Sequence, residues 1–403
     1  MDDIGLYDCP MPESLRDKMG LTAFLAWLFY LGFVSRVLFA PLMPEIEKDL
    51  GIGHGDAGTL FLMLSLGYLL APLCSGYISS RINHLGTLKL SALLVGVALV
   101  PCGFSKSFWG LGGWLMVVGF AGALHVPSAI TTITAEIQKS DWGKGLSIHQ
   151  CAPPLSFVSA PLISAFLIDS FSWREIVHIW AGITFFSGLL YAFLGKGGEF
   201  PGRAVNIQNI KIVGSTLSFW LMVVLFALAM SGNAGIFAVL PLYFVTEKGF
   251  DLSTANTLIG LSQLSGVVMI FFAGWITDRI GQKRIIVFSL LLTGILTVLI
   301  SSTSGWVLIL CLFLQPAALT AFFPAGFAAL SRIAPPVMRS VTSAVGPPLA
   351  FLLGGGITPQ FLGYFAETHT FSTGILFTGC LIFLGAFLIF FIKLGIYDDQ
   401  SGC

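Results

Sequence analysis

Arg36 is the residue whose type and position carry the most chemistry, because it lies within the apolar segment 20–44. Such a segment is long enough to cross a bilayer, where a charge costs at least about 2.5–3.5 kcal/mol on insertion scales. Arginine does not lose its proton, so Arg36 requires water, a carboxylate or another acceptor. All 20 Asp and Glu residues lie in loops, chain ends or helix ends of the spans predicted below. Arg36 either binds an anionic substrate through paired hydrogen bonds or bonds carbonyls at a helix kink and only stabilises the fold.

Two histidines also fall inside apolar segments, His125 in the fourth predicted span and His149 in the fifth. Histidine titrates near neutral pH, so either residue can carry a proton or donate a hydrogen bond to an anion. For His149 and the adjacent Gln150 we predict contact with the substrate or a role in a gate. The reason is that Pro153 and Pro154, just beyond, remove backbone donors and break the helix.

A polar stripe runs from His125 along one face of the fourth span. Helical steps of three, four and four residues bring Ser128, Thr132 and Glu136 onto that face. The stripe is a candidate proton path toward the cytoplasm. In the alternative interpretation, His125 bonds a neighbouring helix and Glu136 pairs with Arg81 to latch a gate.

The second half of the chain offers amides rather than charges in its apolar segments, namely Asn233, Gln263 and Gln315. Amides can hydrogen-bond a small polar solute, and they also join neighbouring membrane helices. As a set facing Arg36 across a cleft, they are candidate substrate contacts. The triplet 354–356, Gly-Gly-Gly, indicates either bending or close helix packing.

The composition indicates a membrane protein. Hydrophobic residues make up 56% of the 403 residues, with a mean hydropathy of +0.90. Charged residues make up 10%, against about 25% in soluble domains. The seven cysteines are scattered without metal-ligand spacing, and no G-x-x-x-x-G-K-[ST] phosphate loop occurs. We therefore predict no cofactor, no metal, no enzyme activity and no nucleic-acid partner.

The apolar segments predict an all-α polytopic protein with twelve spans, since one span needs about 20 apolar residues. The predicted spans are 20–44, 55–80, 87–106, 109–137, 142–169, 173–195, 215–246, 252–280, 284–303, 305–332, 339–366 and 371–394. Of the 20 Lys and Arg residues, fifteen then lie on the side of the N-terminus and four on the opposite side. The positive-inside rule places both termini in the cytoplasm, and we expect a bacterial inner membrane.

A polar connection divides the chain near its middle, into an N-terminal half (1–195), a linker (196–213) and a C-terminal half (214–403). The halves repeat at one offset of 198 residues. For example, Gly51 matches Gly249, and Gly76-x-Ile78-x-x-Arg81-Ile82 matches Gly274-x-Ile276-x-x-Arg279-Ile280. Such repeats are typical of secondary transporters, whose substrate site lies at the repeat interface.

One connection resembles the signature loop of the major facilitator superfamily, G-x-x-x-D-R-x-G-x-K-R. It is Gly274-Trp275-Ile276-Thr277-Asp278-Arg279-Ile280-Gly281-Gln282-Lys283-Arg284, between spans eight and nine. A first copy, Gly76-Tyr77-Ile78-Ser79-Ser80-Arg81-Ile82-Asn83, departs at Ser80, where the family usually has Asp, and at Asn83, where it usually has Gly. The resemblance implies two six-helix bundles and a cytoplasmic gate formed by Arg81, Asp278, Arg279 and Arg284.

The first span resembles the anion:cation symporter branch of that superfamily. The resemblance rests on Val34-Ser35-Arg36 followed by Pro44-Glu45-Ile46-Glu47-Lys48-Asp49-Leu50-Gly51-Ile52. The branch often has Asp-Arg at this point, and its Arg meets the anionic substrate. The resemblance implies that role for Arg36, whereas Ser35 stands in place of the acid.

These observations predict a secondary transporter of a small organic anion that works by alternating access as a monomer. Arg36 would bind a carboxylate-like group, with His149, Gln150, Asn233, Gln263 and Gln315 along the path. Proton coupling through His125 and Glu136 stays open, as do sodium, a counter-anion and uniport. The alternatives are an efflux carrier for hydrophobic or cationic compounds, and a receptor built on a transporter scaffold.

Overall fold

The computed structural model describes residues 13–202, 207–333 and 339–392, and nearly all of them are helical. Both chain ends and residues 203–206 of the predicted linker lie outside the described residues. Helices follow from the composition, because a chain in lipid must satisfy its backbone hydrogen bonds internally. Eleven helical segments of the described chain are long and apolar enough to cross a membrane.

The longest of these segments, His54–Phe104, contains two spans, because its backbone is not helical at Ile82 and Asn83. The predicted twelve-span fold is therefore confirmed, with ends that differ by a few residues. The helices are α1 (Met19–Leu50), α2 (54–81), α3 (84–104), α4 (Phe108–Glu136), α5 (Lys139–Leu167), α6 (Trp173–Leu194), α7 (Leu217–Thr246), α8 (Leu252–Ile280), α9 (Gln282–Ser302), α10 (Gly305–Arg332), α11 (Val341–Thr368) and α12 (Phe371–Phe391). A short helix, Ile207–Gly214, precedes α7.

The backbone repeats at the offset that the sequence showed. Gly51 ends α1 with φ of 62°, the usual glycine stop of a helix, and Gly249 lies just beyond α7 with φ of 72°. Asn83 and Gly281 interrupt the paired signature loops with φ of 57° and 94°. The Asn83 side chain also accepts a hydrogen bond from the Gly86 N–H at 2.7 Å. This bond explains how Asn replaces the family's Gly at the start of α3. The chain is thus two pseudo-symmetric six-helix halves.

Several membrane helices are interrupted near their middle. α1 breaks at Leu38, and α5 breaks at Cys151, next to Pro153 and Pro154, which the sequence singled out. α7 and α11 each contain a π-helical turn, at Ser231–Gly235 and Leu352–Ile357. These turns pack on each other, because Gly235 approaches the Gly354 carbonyl too closely for a side chain. π-turns frequently mark functional sites in helices.

The two halves meet on the side of the bundle opposite the linker, which we call the far side. The Asn256 amide donates to the Pro41 carbonyl at 3.0 Å, and the Gln360 amide donates to the Thr59 hydroxyl at 3.1 Å. The Gly55 N–H donates to the Glu367 carboxylate at 2.9 Å. These bonds join α1 and α2 of one half to α8 and α11 of the other, so the far side is closed.

The halves separate toward the linker side. α5 and α8 touch where Leu162 lies against Gly260. Closer to the linker, Leu155 on α5 and Leu264 on α8 are 46% and 44% exposed. In the described chain the hydrogen bonds between α5 and α8, from Ser253 and Asn256, all lie on the far side of Gly260. We therefore describe the structure as open on the linker side, with a cleft between the halves.

Candidate substrate path

Arg36 lies where α1 and α4 come closest together. A side chain on Gly32 would lie 3.9 Å from the Gly122 backbone, and the Arg36 side chain passes over Gly122 itself. Two glycines thus make room for one long cation between two helices. Arg36 is only 4% exposed, so its charge is held inside the protein rather than in bulk water.

Aromatic rings surround the Arg36 guanidinium. Its central carbon lies 4.3 Å from the Phe33 ring centre and 4.8 Å from the Tyr68 ring centre. Ring faces attract cations, but more weakly than a desolvated carboxylate does. Within the described parts of the chain, no carboxylate lies within 4.0 Å of Arg36, and its Nε has no hydrogen-bond partner. The site is a buried cation that lacks an anion.

Tyr68 connects this cation to the opposite half, because its ring lies 4.7 Å from the Phe351 ring of α11. The Arg36 site therefore lies at the interface of the halves. The sequence analysis singled out neither Phe33 nor Tyr68. The i−3 spacing of Phe33 to Arg36 was an available signal, whereas nothing in the sequence pairs Tyr68 with Arg36.

Ser35, which stands where the symporter branch carries an acid, contacts different neighbours. Its hydroxyl donates to the Leu31 carbonyl at 2.8 Å and accepts from the Trp180 indole N–H at 3.1 Å. Two neutral hydrogen bonds thus satisfy this buried position. An acid there would lie beside Trp180 of α6.

His125 and His149, predicted separately, form one buried pair. Their Nε2 atoms are 3.2 Å apart, and the two rings are nearly parallel. Phe29 of α1 stacks on both rings, at 4.6 Å from His149 and 5.5 Å from His125. His149 is 0% exposed, so it faces His125 inside the N-terminal half and does not line the cleft in this state. Gln150, the next residue, is exposed.

The polar stripe below His125 is buried. The Ser128 hydroxyl lies 3.2 Å from His84 Nδ1, and the buried Thr132 hydroxyl has no partner. The interpretation that Glu136 pairs with Arg81 is wrong for this state. Glu136 binds Lys18 Nζ at 3.0 Å, and this bond raises the pKa of Lys18. His84 and Lys18 were missed, because both lie near helix ends rather than inside an apolar segment.

The linker covers the end of this stripe. The Gly198 N–H donates to the Glu136 carboxylate at 3.3 Å, and its carbonyl accepts from the Leu85 N–H at 2.9 Å. Gly197 and Gly198 have φ of 84° and 81°, a conformation that glycine adopts without strain. Residues 196–202 therefore dock against the linker-side end of α3 and α4.

The Lys18–Glu136 pair yields a stability prediction. We expect Glu136→Gln to lower the free energy of unfolding by about 1 kcal/mol, because it removes the buried one of the two carboxylates that pair with Lys18, the other being Glu13 at 3.1 Å. Lys144→Ala is the matched control, since Lys144 is 74% exposed and pairs with Asp141 on the surface. Thermal unfolding in detergent measures both variants. Equal melting temperatures for the two variants would show that the Glu136 pair adds nothing.

The amides of the C-terminal half differ in their surroundings. Gln315 Nε2 donates to the Gly232 carbonyl at 2.7 Å. This bond gives that carbonyl, which lies in the π-turn of α7, a hydrogen-bond partner. Asn233 lies in that π-turn, and Gln263 lies at the break of α8. Both are partly exposed, so they can contact a solute, whereas Gln315 fastens two helices together.

The four predicted gate residues lie on the linker side. Arg81, Asp278, Arg279 and Arg284 are all exposed, and Arg279 lies over the Trp275 ring at 4.4 Å. An exposed set fits a gate that is open in this state. Their role in closure stays a prediction.

Comparison with known proteins identifies the family and several relatives. The family model described as Major Facilitator Superfamily matches residues 22–276 and 249–399. Multidrug resistance protein MdtG of Serratia proteamaculans is 26% identical over 331 residues, 78% of this chain and 80% of that protein. Probable sulfoacetate transporter SauU of Cupriavidus necator is 20% identical over 292 residues, 68% of each chain. Membrane sensor protein UhpC of Escherichia coli is 23% identical over 325 residues, 75% of this chain and 73% of that protein.

Solved structures share the fold at low sequence identity. A bacterial homologue of the human lysosomal transporter Spinster, in an inward-facing and occupied conformation, superposes with a TM-score of 0.82 at 15% identity. The superposition covers 96% of this chain and 99% of that chain. A D-xylose–proton symporter gives a TM-score of 0.77 at 15% identity, covering 95% and 99%.

Proposed function

The chain belongs to the Major Facilitator Superfamily, and we propose that it moves a small organic anion across the membrane with Arg36 as its binding residue. The coarser function follows from the family: it is a membrane-embedded secondary transporter of a small molecule and not an enzyme. The observation that carries the proposal is the buried Arg36 guanidinium, which no carboxylate of the described chain neutralises. A carboxylate-like substrate would supply the missing charge.

The surroundings of Arg36 favour a small anion with an apolar part. Phe33 and Tyr68 offer ring faces beside the cation, and the partly exposed amides of Asn233 and Gln263 offer hydrogen bonds. One arginine favours a single negative charge over a phosphate ester. The relative named as a probable sulfoacetate transporter supports an acidic solute.

Alternating access would use the cleft that is open on the linker side. Closure of that side would bring together Arg81, Asp278, Arg279 and Arg284, while the far-side bonds of Glu367 and Asn256 break. We further propose a bacterial inner membrane, both termini in the cytoplasm and a monomer. The charge asymmetry of the connections supports this orientation.

Efflux of lipophilic compounds is the second candidate function. The relatives named as multidrug resistance proteins favour it, since they include the 26% identical protein described above. The aromatic walls of the Arg36 site suit lipophilic compounds as well. In this alternative Arg36 stabilises the fold and does not bind substrate.

Ligand-dependent thermal stability separates the two functions. Wild type and Arg36→Gln are melted with acetate, lactate, succinate, sulfoacetate, glucose 6-phosphate and tetraphenylphosphonium. A ligand at a hundred times its dissociation constant stabilises the folded state by about 2.7 kcal/mol. We expect a carboxylate or sulfonate to stabilise wild type but not Arg36→Gln.

Arg16→Gln is the matched control for that measurement, because Arg16 is exposed at the start of the described chain. It should respond to the anions as wild type does. If tetraphenylphosphonium stabilises all three proteins equally and no anion acts, the anion proposal fails and efflux takes its place.

A further inference from the structure

We propose that His125 and His149 form a binding site for one added proton, held as an imidazolium that donates through its Nε2–H to the other ring, and linked to the anion at Arg36. The linkage deepens the proposed function and rests on it. The proton site itself does not, since it follows from the pair of rings. Together they assign the proton as the coupling ion.

The geometry limits the site to a single added proton. Two ring nitrogens 3.2 Å apart form a hydrogen bond only when one carries hydrogen and the other a lone pair. His149 Nδ1 is buried without a partner, so the neutral pair leaves one polar atom unsatisfied. The neutral pair already holds one hydrogen between the Nε2 atoms, so an added proton enters at a ring Nδ1 and gives an imidazolium that donates through Nε2 to the neighbouring imidazole. A second would turn two N–H groups and two like charges toward each other.

Phe29 fits a pair that carries charge. Its ring lies parallel to both imidazoles, at interplanar angles of 8° and 11°. An aromatic face attracts a cation placed over it, so the stack stabilises the protonated pair and shields it from the cleft. The pair is thus kept apart from the substrate.

A proton has a polar route to this site. His125 lines a small enclosed cavity together with Thr184, whose buried hydroxyl has no partner. Along α4, the Ser128 hydroxyl and the unpartnered Thr132 hydroxyl lead toward Glu136 on the linker side. These hydroxyls form a buried polar line between the histidine pair and Glu136.

Arg36 is the charge that couples the two sites. It lies on α1 one turn beyond Gly32 and crosses Gly122, which is one turn from His125 on α4. In the described chain no carboxylate offsets Arg36, so its charge opposes protonation of the pair. An anion bound at Arg36 removes that opposition, and by linkage a proton on the pair strengthens anion binding. A monoanion and one proton would then cross together without net charge.

Other ionisable groups on the surrounding helices are already engaged or distant. On the surrounding helices they include the Lys18–Glu136, Lys144–Asp141, Glu47–His54 and Asp49–Arg174 pairs, His84 at Ser128, and Tyr191. Tyr68 of α2 contacts Arg36. None of them replaces Arg36 as the nearest uncompensated charge.

Nitrogen NMR of the full-length protein, labelled with 15N at histidine, tests the proton site directly. In wild type we expect one coupled step that loads a single proton, with a 15N–15N coupling across the Nε2–H–Nε2 bond. This titration uses the wild-type protein alone. His125→Gln and His149→Gln should each abolish the coupled signal, whereas His178→Gln, on the far side at the Val100 carbonyl, should leave it unchanged.

Arg36→Gln tests the linkage without any ligand. Removing this nearby unit charge should move the midpoint of the coupled step to higher pH by roughly one unit. Two independent histidine titrations, or no protonation before the protein unfolds, would overturn the proton site. An unchanged midpoint in Arg36→Gln would overturn the linkage. If anions stabilise the wild type but neither the coupled proton step nor its shift in Arg36→Gln is seen, the proposed function survives and the proton site fails. The two failures are therefore distinguishable.

Discussion

Arg36→Gln is expected to reduce transport of the stabilising anion at least about 100-fold. Each hydrogen bond to a charged group contributes roughly 1.5–3 kcal/mol, and two parallel bonds are lost together. Glutamine keeps a polar side chain of related length but carries no charge. Uptake into proteoliposomes of the labelled carboxylate or sulfonate identified by thermal stability measures the effect.

Arg36→Lys refines this result, because lysine keeps the charge but not the planar pair of donors. We expect uptake between those of wild type and Arg36→Gln, with the loss mainly in affinity. Arg16→Gln should transport as wild type does. Full uptake by Arg36→Gln at low anion concentration would show that Arg36 only stabilises the fold.

Gly58→Val is expected to hold the far side open and to reduce transport at least about tenfold. A Cβ atom on Gly58 would collide with the Pro359 carbonyl and would lie 2.6 Å from Gln360 Cα. Both atoms belong to the opposite half, so the halves relieve the collision by separating. A shift of a two-state equilibrium from nearly all closed to nearly all open needs about 5.5 kcal/mol, and a rigid backbone collision reaches that order.

Accessibility of a buried interface position measures this opening. Asn256 is 0% exposed where it bonds the Pro41 carbonyl. Asn256→Cys is therefore placed in wild-type and Gly58→Val backgrounds and labelled from the far side with a membrane-impermeant maleimide. We expect at least tenfold faster labelling in the Gly58→Val background.

Gly113→Val is the control for the added bulk, because nothing lies within 4 Å of a Cβ atom on Gly113. It should change neither labelling nor transport. If Gly58→Val instead lowers the melting temperature without faster labelling, the contact at Gly58 holds the fold together and does not report on the far-side gate.

The membrane spans were predictable, because lipid leaves the chain few options. An apolar segment that cannot hydrogen-bond to solvent must be a helix, so the segments alone predicted the twelve spans. The repeat was equally visible, since Gly51 and Gly249 lie 198 residues apart in the sequence and both adopt a positive φ just beyond a helix. Asn83 departs from the family loop, but asparagine tolerates a positive φ and its side chain caps the next helix by accepting from the Gly86 N–H.

It was less predictable which polar residues line the substrate path and which only join neighbouring helices. Asn233, Gln263 and Gln315 are all amides in apolar segments, yet Gln315 alone bonds a carbonyl across to α7. The carbonyl is available because of the π-turn in α7. The sequence does not show such a turn, since it depends on how α7 packs against α11.

By itself the sequence determined the spans, the repeat and the isolated charge of Arg36, because each depends on local polarity and on the solvent around one helix. Only the tertiary structure decided which side chains meet. It brought Tyr68 to Arg36, His149 to His125 and Lys18 to Glu136. The physical reason is that these contacts join different helices, whose rotation and depth are set by close packing at glycines such as Gly32 and Gly122.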